Sequence, residues 1–153
     1  MGKVLKETEA TLGTLAEFLD DAGLDVTPAS QRLVFHTEAG IGFSLRLESD
    51  RHFVHLSTNL PIRKDFADHL DLVNTLNNDV FLGCLSIDDD QDLSVTYSMS
   101  YSRGLILAQL SRIVRRFTGM LDHVVSTYDK NDDVFAFGNK ETAATETPSP
   151  SLQ

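Results

Sequence analysis

The chain has one cysteine, no tryptophan and only four prolines among its 153 residues. Cys84 alone cannot close an internal disulfide or build a thiolate metal cluster, so a reducing, cytoplasmic setting is expected. Long apolar runs are also lacking. None approaches the roughly 20 residues that a bilayer-spanning helix needs, and membrane insertion is not expected. The stretch from Met1 to Glu7 has no apolar core of the kind a secretory signal carries. Positive charge is scarce, with 13 Lys and Arg against 23 Asp and Glu, a net charge of −10 and a pI near 4.7. Nucleic-acid binding depends on clustered cations that neutralise phosphates, so a nucleic-acid partner is not expected. An anionic membrane surface is disfavoured for the same reason. Excess acidity keeps a small domain soluble and steers it toward basic or amphipathic polypeptides.

The common catalytic signatures are missing as well: GxGxxG, GxxxxGK[ST], GxSxG and HExxH. Five histidines are spread along the chain as His36, His52, His55, His69 and His123. His52 and His55 lie three apart on an expected strand, so their side chains point to opposite faces and cannot chelate together. The acidic run from Asp88 to Asp92 lacks the central glycine and distal glutamate of a calcium loop, and reads as a solvated hairpin turn. Cys84 has no neighbouring His or Lys to lower its pKa, which suits a core or subunit-interface thiol. No catalytic residue, metal ligand or cofactor is therefore expected.

Hydrophobic residues make up 41% of the chain, enough for one core. Leu12, Leu15, Ala16 and Leu19 recur at helical spacing, which predicts a helix over residues 7–22 stopped by Gly23. Strands follow over 32–37, 41–48 and 54–60, where Phe43, Leu45 and Leu47 alternate with Ser44, Arg46 and Glu48. Their connections are too short for parallel crossovers, so this is an antiparallel meander. A second helix is predicted over 65–76, with Phe66, Leu70, Val73 and Leu76 as its apolar stripe. A second hairpin joins 80–87 to 93–101, whose outer side carries Ser94, Thr96, Ser98 and Ser100. The last helix, 105–128, carries an apolar stripe through Ile106, Leu110, Ile113, Phe117 and Val124. Leu107, Val114 and Val125 widen it beyond what a lone surface helix needs. The order α-βββ-α-ββ-α gives an α+β two-layer sandwich, an antiparallel sheet with helices packed on one face. One domain is expected over 1–128 and a tail over 129–153, disordered by composition from about 141. Val134, Phe135 and Phe137 interrupt the tail's polarity and read as an anchor docking back on the domain.

Val73-Asn74-Thr75-Leu76-Asn77 at a helix end, a strand with Gly83 and Leu85, then a Ser/Tyr-rich strand into Gly104 and a long helix, resemble the YbjN-like family. That family is grouped with the type III secretion chaperone-like fold, and the resemblance spans roughly residues 10–128. It implies a non-enzymatic, usually dimeric protein that binds a partner polypeptide or secreted cargo, in a chaperone-like or adaptor-like role. A small-ligand sensing or regulatory domain is the alternative, with its pocket between the sheet and the last helix. The dimer face implied by the resemblance comprises Phe66, Leu70, Val73, Leu76, Val80, Leu82 and Cys84. Leu107, Arg112, Val114, Arg115 and Arg116 on the last helix are the expected partner-binding residues.

Overall fold

The computed structural model describes residues 3–80 and 82–137. Short turns and period-two patterning make antiparallel pairing the natural outcome for the middle of the chain. β2 (Thr27–Ala29), β3 (Arg32–His36), β4 (Gly42–Glu48) and β5 (Phe53–Leu60) form a meander. β6 (Cys84–Ile87) and β7 (Leu93–Ser100) form the second hairpin, and β7 pairs with β5 from Phe53↔Ser100 to Leu60↔Leu93. The sheet order is β2-β3-β4-β5-β7-β6, antiparallel throughout.

The register puts every second residue on the buried side: Leu33 and Phe35, Phe43 and Leu45, Val54 and Leu56, Leu93 and Val95. Three helices, α1 (Leu12–Asp21), α2 (His69–Asp79) and α3 (Leu107–Tyr128), supply the facing layer. Leu15, Leu19, Leu72, Leu76, Leu110, Val114, Phe117, Leu121 and Val124 belong to the same core cluster. The Phe43 ring lies 5.2 Å from Phe35 and 5.1 Å from Phe117, which joins two strands to α3. Such aromatic pairs contribute about 0.5–1.5 kcal/mol beyond the area they bury.

α1 is shorter than the expected 7–22 helix. Thr11 accepts a hydrogen bond from the Thr14 N–H at 3.2 Å, capping a helix that begins at Leu12. Upstream, Glu7–Glu9 forms a 3-10 turn, and Val4–Leu5 becomes β1, paired with β8 (Leu105–Ile106). Leu5 is thereby buried by a strand rather than by a helix. Gly104 permits this approach: its φ is +117°, and a Cβ there would lie 3.1 Å from the Leu5 carbonyl oxygen. Gly23 ends α1 as expected, at φ +88°, while Leu24 N–H bonds to Leu19 O and Gly23 N–H to Asp20 O. Those two bonds make a Schellman motif.

α2 starts at His69 instead of Asp65 and runs on to Asp79, so the following strand starts at Cys84 instead of Val80. The residues before α2 have another task. Ile62 bridges Phe135, Arg63 N–H donates to Val134 O at 2.7 Å, and Ala136 N–H donates to Pro61 O at 2.9 Å. Val134 and Phe135 are buried, and the Asp129 carboxylate accepts both of their N–H groups. The disorder expected beyond about 141 falls outside the described residues.

Candidate partner-binding surface

α3 is broad in apolar pattern because most of its stripe is core. Leu107 and Val114, expected to meet a partner, are 1% and 0% exposed and lie on the side facing the sheet. Both are core residues and not partner contacts, since a side chain sealed in its own protomer offers no surface to another chain. The face left outside is different. Ile106 is 46% exposed, Ile113 is half-buried, and Arg112 and Arg116 are exposed.

Two clefts run along this face. One, of about 340 Å³, is bordered by Ile106, Gln109, Arg112, Ile113 and Arg116. The other, of about 440 Å³, is bordered by Val80, Leu82, Met120, Asp79, His123 and Arg116. Arg116 borders both. At the far rim Tyr128 donates its hydroxyl proton to Asp79, and His123 Nε2 lies 3.9 Å from the same carboxylate. This bond raises the Tyr128 pKa, because the phenolate would lose a donor and face a carboxylate. Among the described residues neither Arg112 nor Arg116 forms an ion pair. Like charges at i and i+4 oppose helix formation by about 0.2–0.5 kcal/mol, so the pair does not stabilise α3.

Arg115 points elsewhere. Its guanidinium donates to the Ala22 carbonyl at the end of α1. A cation on an orphan carbonyl of a helix C-terminus satisfies both the hydrogen bond and the helix dipole. It is therefore tied to the join between α1 and α3.

The residues named for a dimer face divide. Leu76, Val80 and Leu82 are buried within the protomer, and Val73 and Phe66 are half-buried. Phe66 precedes α2 instead of riding on it. Leu70 is 75% exposed, because the buried stripe of α2 runs through Leu72 and Leu76. Cys84 is exposed on the open side of the sheet beside Thr96, so it is not a core thiol. Asn77 has a structural function that its family-like spacing did not disclose. Its carboxamide bonds both the N–H and the C=O of Leu85.

The sheet's other side is open and polar. Ser44, Arg46, His55, Ser57, Thr96 and Ser98 stand on it in cross-strand rows. Arg51 Nε and Nη2 clamp both oxygens of Glu48, and His55 Nε2 lies 2.8 Å from Glu48 and Nδ1 2.7 Å from Ser98. The carboxylate can only accept, so Nε2 donates to it, while Nδ1 shares a hydrogen bond with the Ser98 hydroxyl. Hydrogen bonds from Arg51 and then His55 hold the Glu48 pKa down to about 2. The string Ser98-His55-Glu48 joins β7, β5 and β4, and His55 and Ser98 are direct register partners. The acidic turn also has an internal structure: Asp88 accepts from the Asp90 and Asp92 N–H groups, each at 2.9 Å.

A six-stranded antiparallel sheet, covered on one face by three helices with a long last helix, defines the type III secretion chaperone-like class of α+β folds. The chain is similar to the solved structure "Crystal Structure of the ExsC-ExsE Complex" at 15% identity. The TM-score is 0.54, and the match covers 76% of this chain and 88% of that one. It is similar to "Structure of the HopA1-SchA Chaperone-Effector Complex" at 17% identity, with a TM-score of 0.51 and 73% and 88% of the two chains covered. A third structure, "Crystal structure of YbjN, a putative transcription regulator from E. coli", matches at 21% identity. Its TM-score is 0.66, and 82% of this chain and 96% of that chain are covered. At these identities the likeness concerns the fold. No curated protein matches the sequence significantly. Residues 11–129 match the YbjN family model, described as "Putative bacterial sensory transduction regulator", and the chain belongs to that family. No helix among the described residues is long and apolar enough to cross a membrane.

Proposed function

We propose that this chain is a non-enzymatic protein-binding module that receives a partner polypeptide along the outer face of α3. The observation that carries the reading is the pair Arg112 and Arg116, exposed and without an ion pair among the described residues, between two clefts with apolar side chains in their linings. Ile106 to His123 spans about 25 Å of helix axis. An amphipathic segment with apolar side chains toward Ile106 and Ile113, and carboxylates toward the arginines, matches that surface in shape and charge. Two structural neighbours are complexes of a protein with a polypeptide partner, which supports the same class of function. Homodimerisation is part of the proposal. Its face is α2, where Leu70 stands exposed with Val73 and Phe66 half-buried nearby in sequence.

The test is capture from the native host with the wild-type chain, an R112E/R116E variant and an L70E variant, with sedimentation of each. A partner retained by wild type and lost by R112E/R116E supports the α3 surface. Equal retention by both sinks it. A wild-type monomer across the micromolar range rejects the dimer, whereas loss of a wild-type dimer in L70E supports the α2 face.

A further inference from the structure

The open side of the sheet holds a second group of cations that the partner surface does not use. Arg32 on β3 and Arg46 on β4 lie one step beyond the Leu33↔Leu45 pair, so they are cross-strand neighbours on the open face. Arg46 is in turn the register partner of His55. Both arginines are exposed, and among the described residues neither forms an ion pair. Like charges directly opposite on a sheet destabilise it. The carboxylate closest in register, Glu48, is already taken by Arg51 and His55.

Two clefts meet at Arg32. The first, of about 330 Å³, is bordered by Val34, Ser44, Ser57 and Asn59 together with Arg32. The second, of about 540 Å³, wraps the end of the sheet and is bordered by Leu12, Leu47, Ser30 and Gln31 together with Arg32 and Arg46. Neither lining includes an Asp or Glu, although the chain carries 23 of them. Two guanidinium groups with no carboxylate in the linings around them are a local concentration of positive charge, of the kind that draws anions.

We propose that Arg32 and Arg46 form a binding site for the phosphate monoester of a small polar molecule. A carboxylate is matched by one guanidinium fork, whereas a phosphate dianion has the charge and oxygens for two. The hydroxyl groups of Ser44 and Ser57 and the amides of Gln31 and Asn59 provide donors and acceptors for a polar body attached to the phosphate. Both clefts fall in the volume range of small-molecule sites.

The experiment is a backbone-amide NMR titration of the full chain with inorganic phosphate, with acetate at matched ionic strength alongside. Saturable shifts confined to the region of Gln31, Arg32, Ser44 and Arg46 are expected with phosphate and not with acetate. R32S and R46S should each weaken binding on the order of tenfold, and R103S, at an exposed cation outside both surfaces, should leave it unchanged. Both sites are exposed, so the variants should keep the wild-type fold, checked by their unperturbed amide spectrum. Linear shifts, equal shifts with acetate, or unchanged affinity in R46S would overturn the proposal. A phosphoserine peptide binding far more tightly than inorganic phosphate would overturn the small-molecule assignment. Neither result touches the α3 surface, whose failure is read separately in R112E/R116E.

Discussion

Asn77 Nδ2 donates to the Leu85 carbonyl at 3.0 Å, and Asn77 Oδ1 accepts from the Leu85 N–H at 3.1 Å. Among the described residues β6 is the outermost strand on its side of the sheet, paired with β7 alone. The carboxamide at the end of α2 thus occupies the position of a neighbouring strand's peptide group. Unpaired strand edges invite pairing with other chains, and a side-chain amide bonded to the backbone blunts that tendency. Replacing Asn77 by Ala removes both partners from partly buried backbone groups, at a cost of about 1–3 kcal/mol. A lower urea midpoint and light scattering that grows with protein concentration are expected. An unchanged midpoint would show that the bracket carries no stability.

Phe135 is fully buried, outside the three helices and the six-stranded sheet. Truncating it to Ala should cost about 3–5 kcal/mol, as for other buried phenylalanines. Ending the chain after Tyr128 removes Val134 and the backbone bonds to Pro61 and Arg63 too, and should cost no less. Denaturant unfolding of both variants checks this; a truncated chain as stable as the full one contradicts it.

Glu48 sets a pH dependence. Its pKa falls from an ordinary 4.5 to about 2, first through the Arg51 hydrogen bond and then through His55. A depressed carboxylate stabilises the fold above its unfolded pKa and loses that contribution as pH falls through the folded one. The stability gap between wild type and E48Q should therefore be full above about pH 4.5 and close toward pH 2. Urea midpoints across that window read it directly, and a gap independent of pH would refute the assignment.

Gly104 tests the β1–β8 join. Alanine there is strained by the positive φ and crowds the Leu5 carbonyl at 3.1 Å. Destabilisation of about 1–3 kcal/mol is expected, with faster hydrogen exchange near Leu5 and Leu107. Wild-type exchange rates at Leu107, whose N–H donates to Lys3 O at 3.0 Å, would argue against the join's importance.

Residue patterning announced the meander, the second hairpin and the long last helix, because each has a clean period and a marked stop. It was less informative where two helical stripes overlap. In α2 the series Leu70–Val73–Leu76 and Leu72–Leu76–Val80 both fit a helix, and only packing against the sheet selects the second. Two-residue strands such as Val4–Leu5 have no period to read; their pairing is decided by tertiary contact and by Gly104. At the candidate surface, charge identity was legible in Arg112 and Arg116. The diversion of Arg115 to Ala22 was not, since it depends on where α1 ends in space. Arg32 and Arg46 became a pair only through the β3–β4 register.

The β1–β8 pairing has a practical side. Val4 lies opposite Ile106, and both are exposed. Any segment fused ahead of Lys3 emerges beside the first turn of α3, within reach of the cleft that Ile106, Ile113 and Arg112 border. An amino-terminal affinity handle would be a steric competitor at the proposed partner surface, so capture there is expected to improve when the handle is cleaved before mixing.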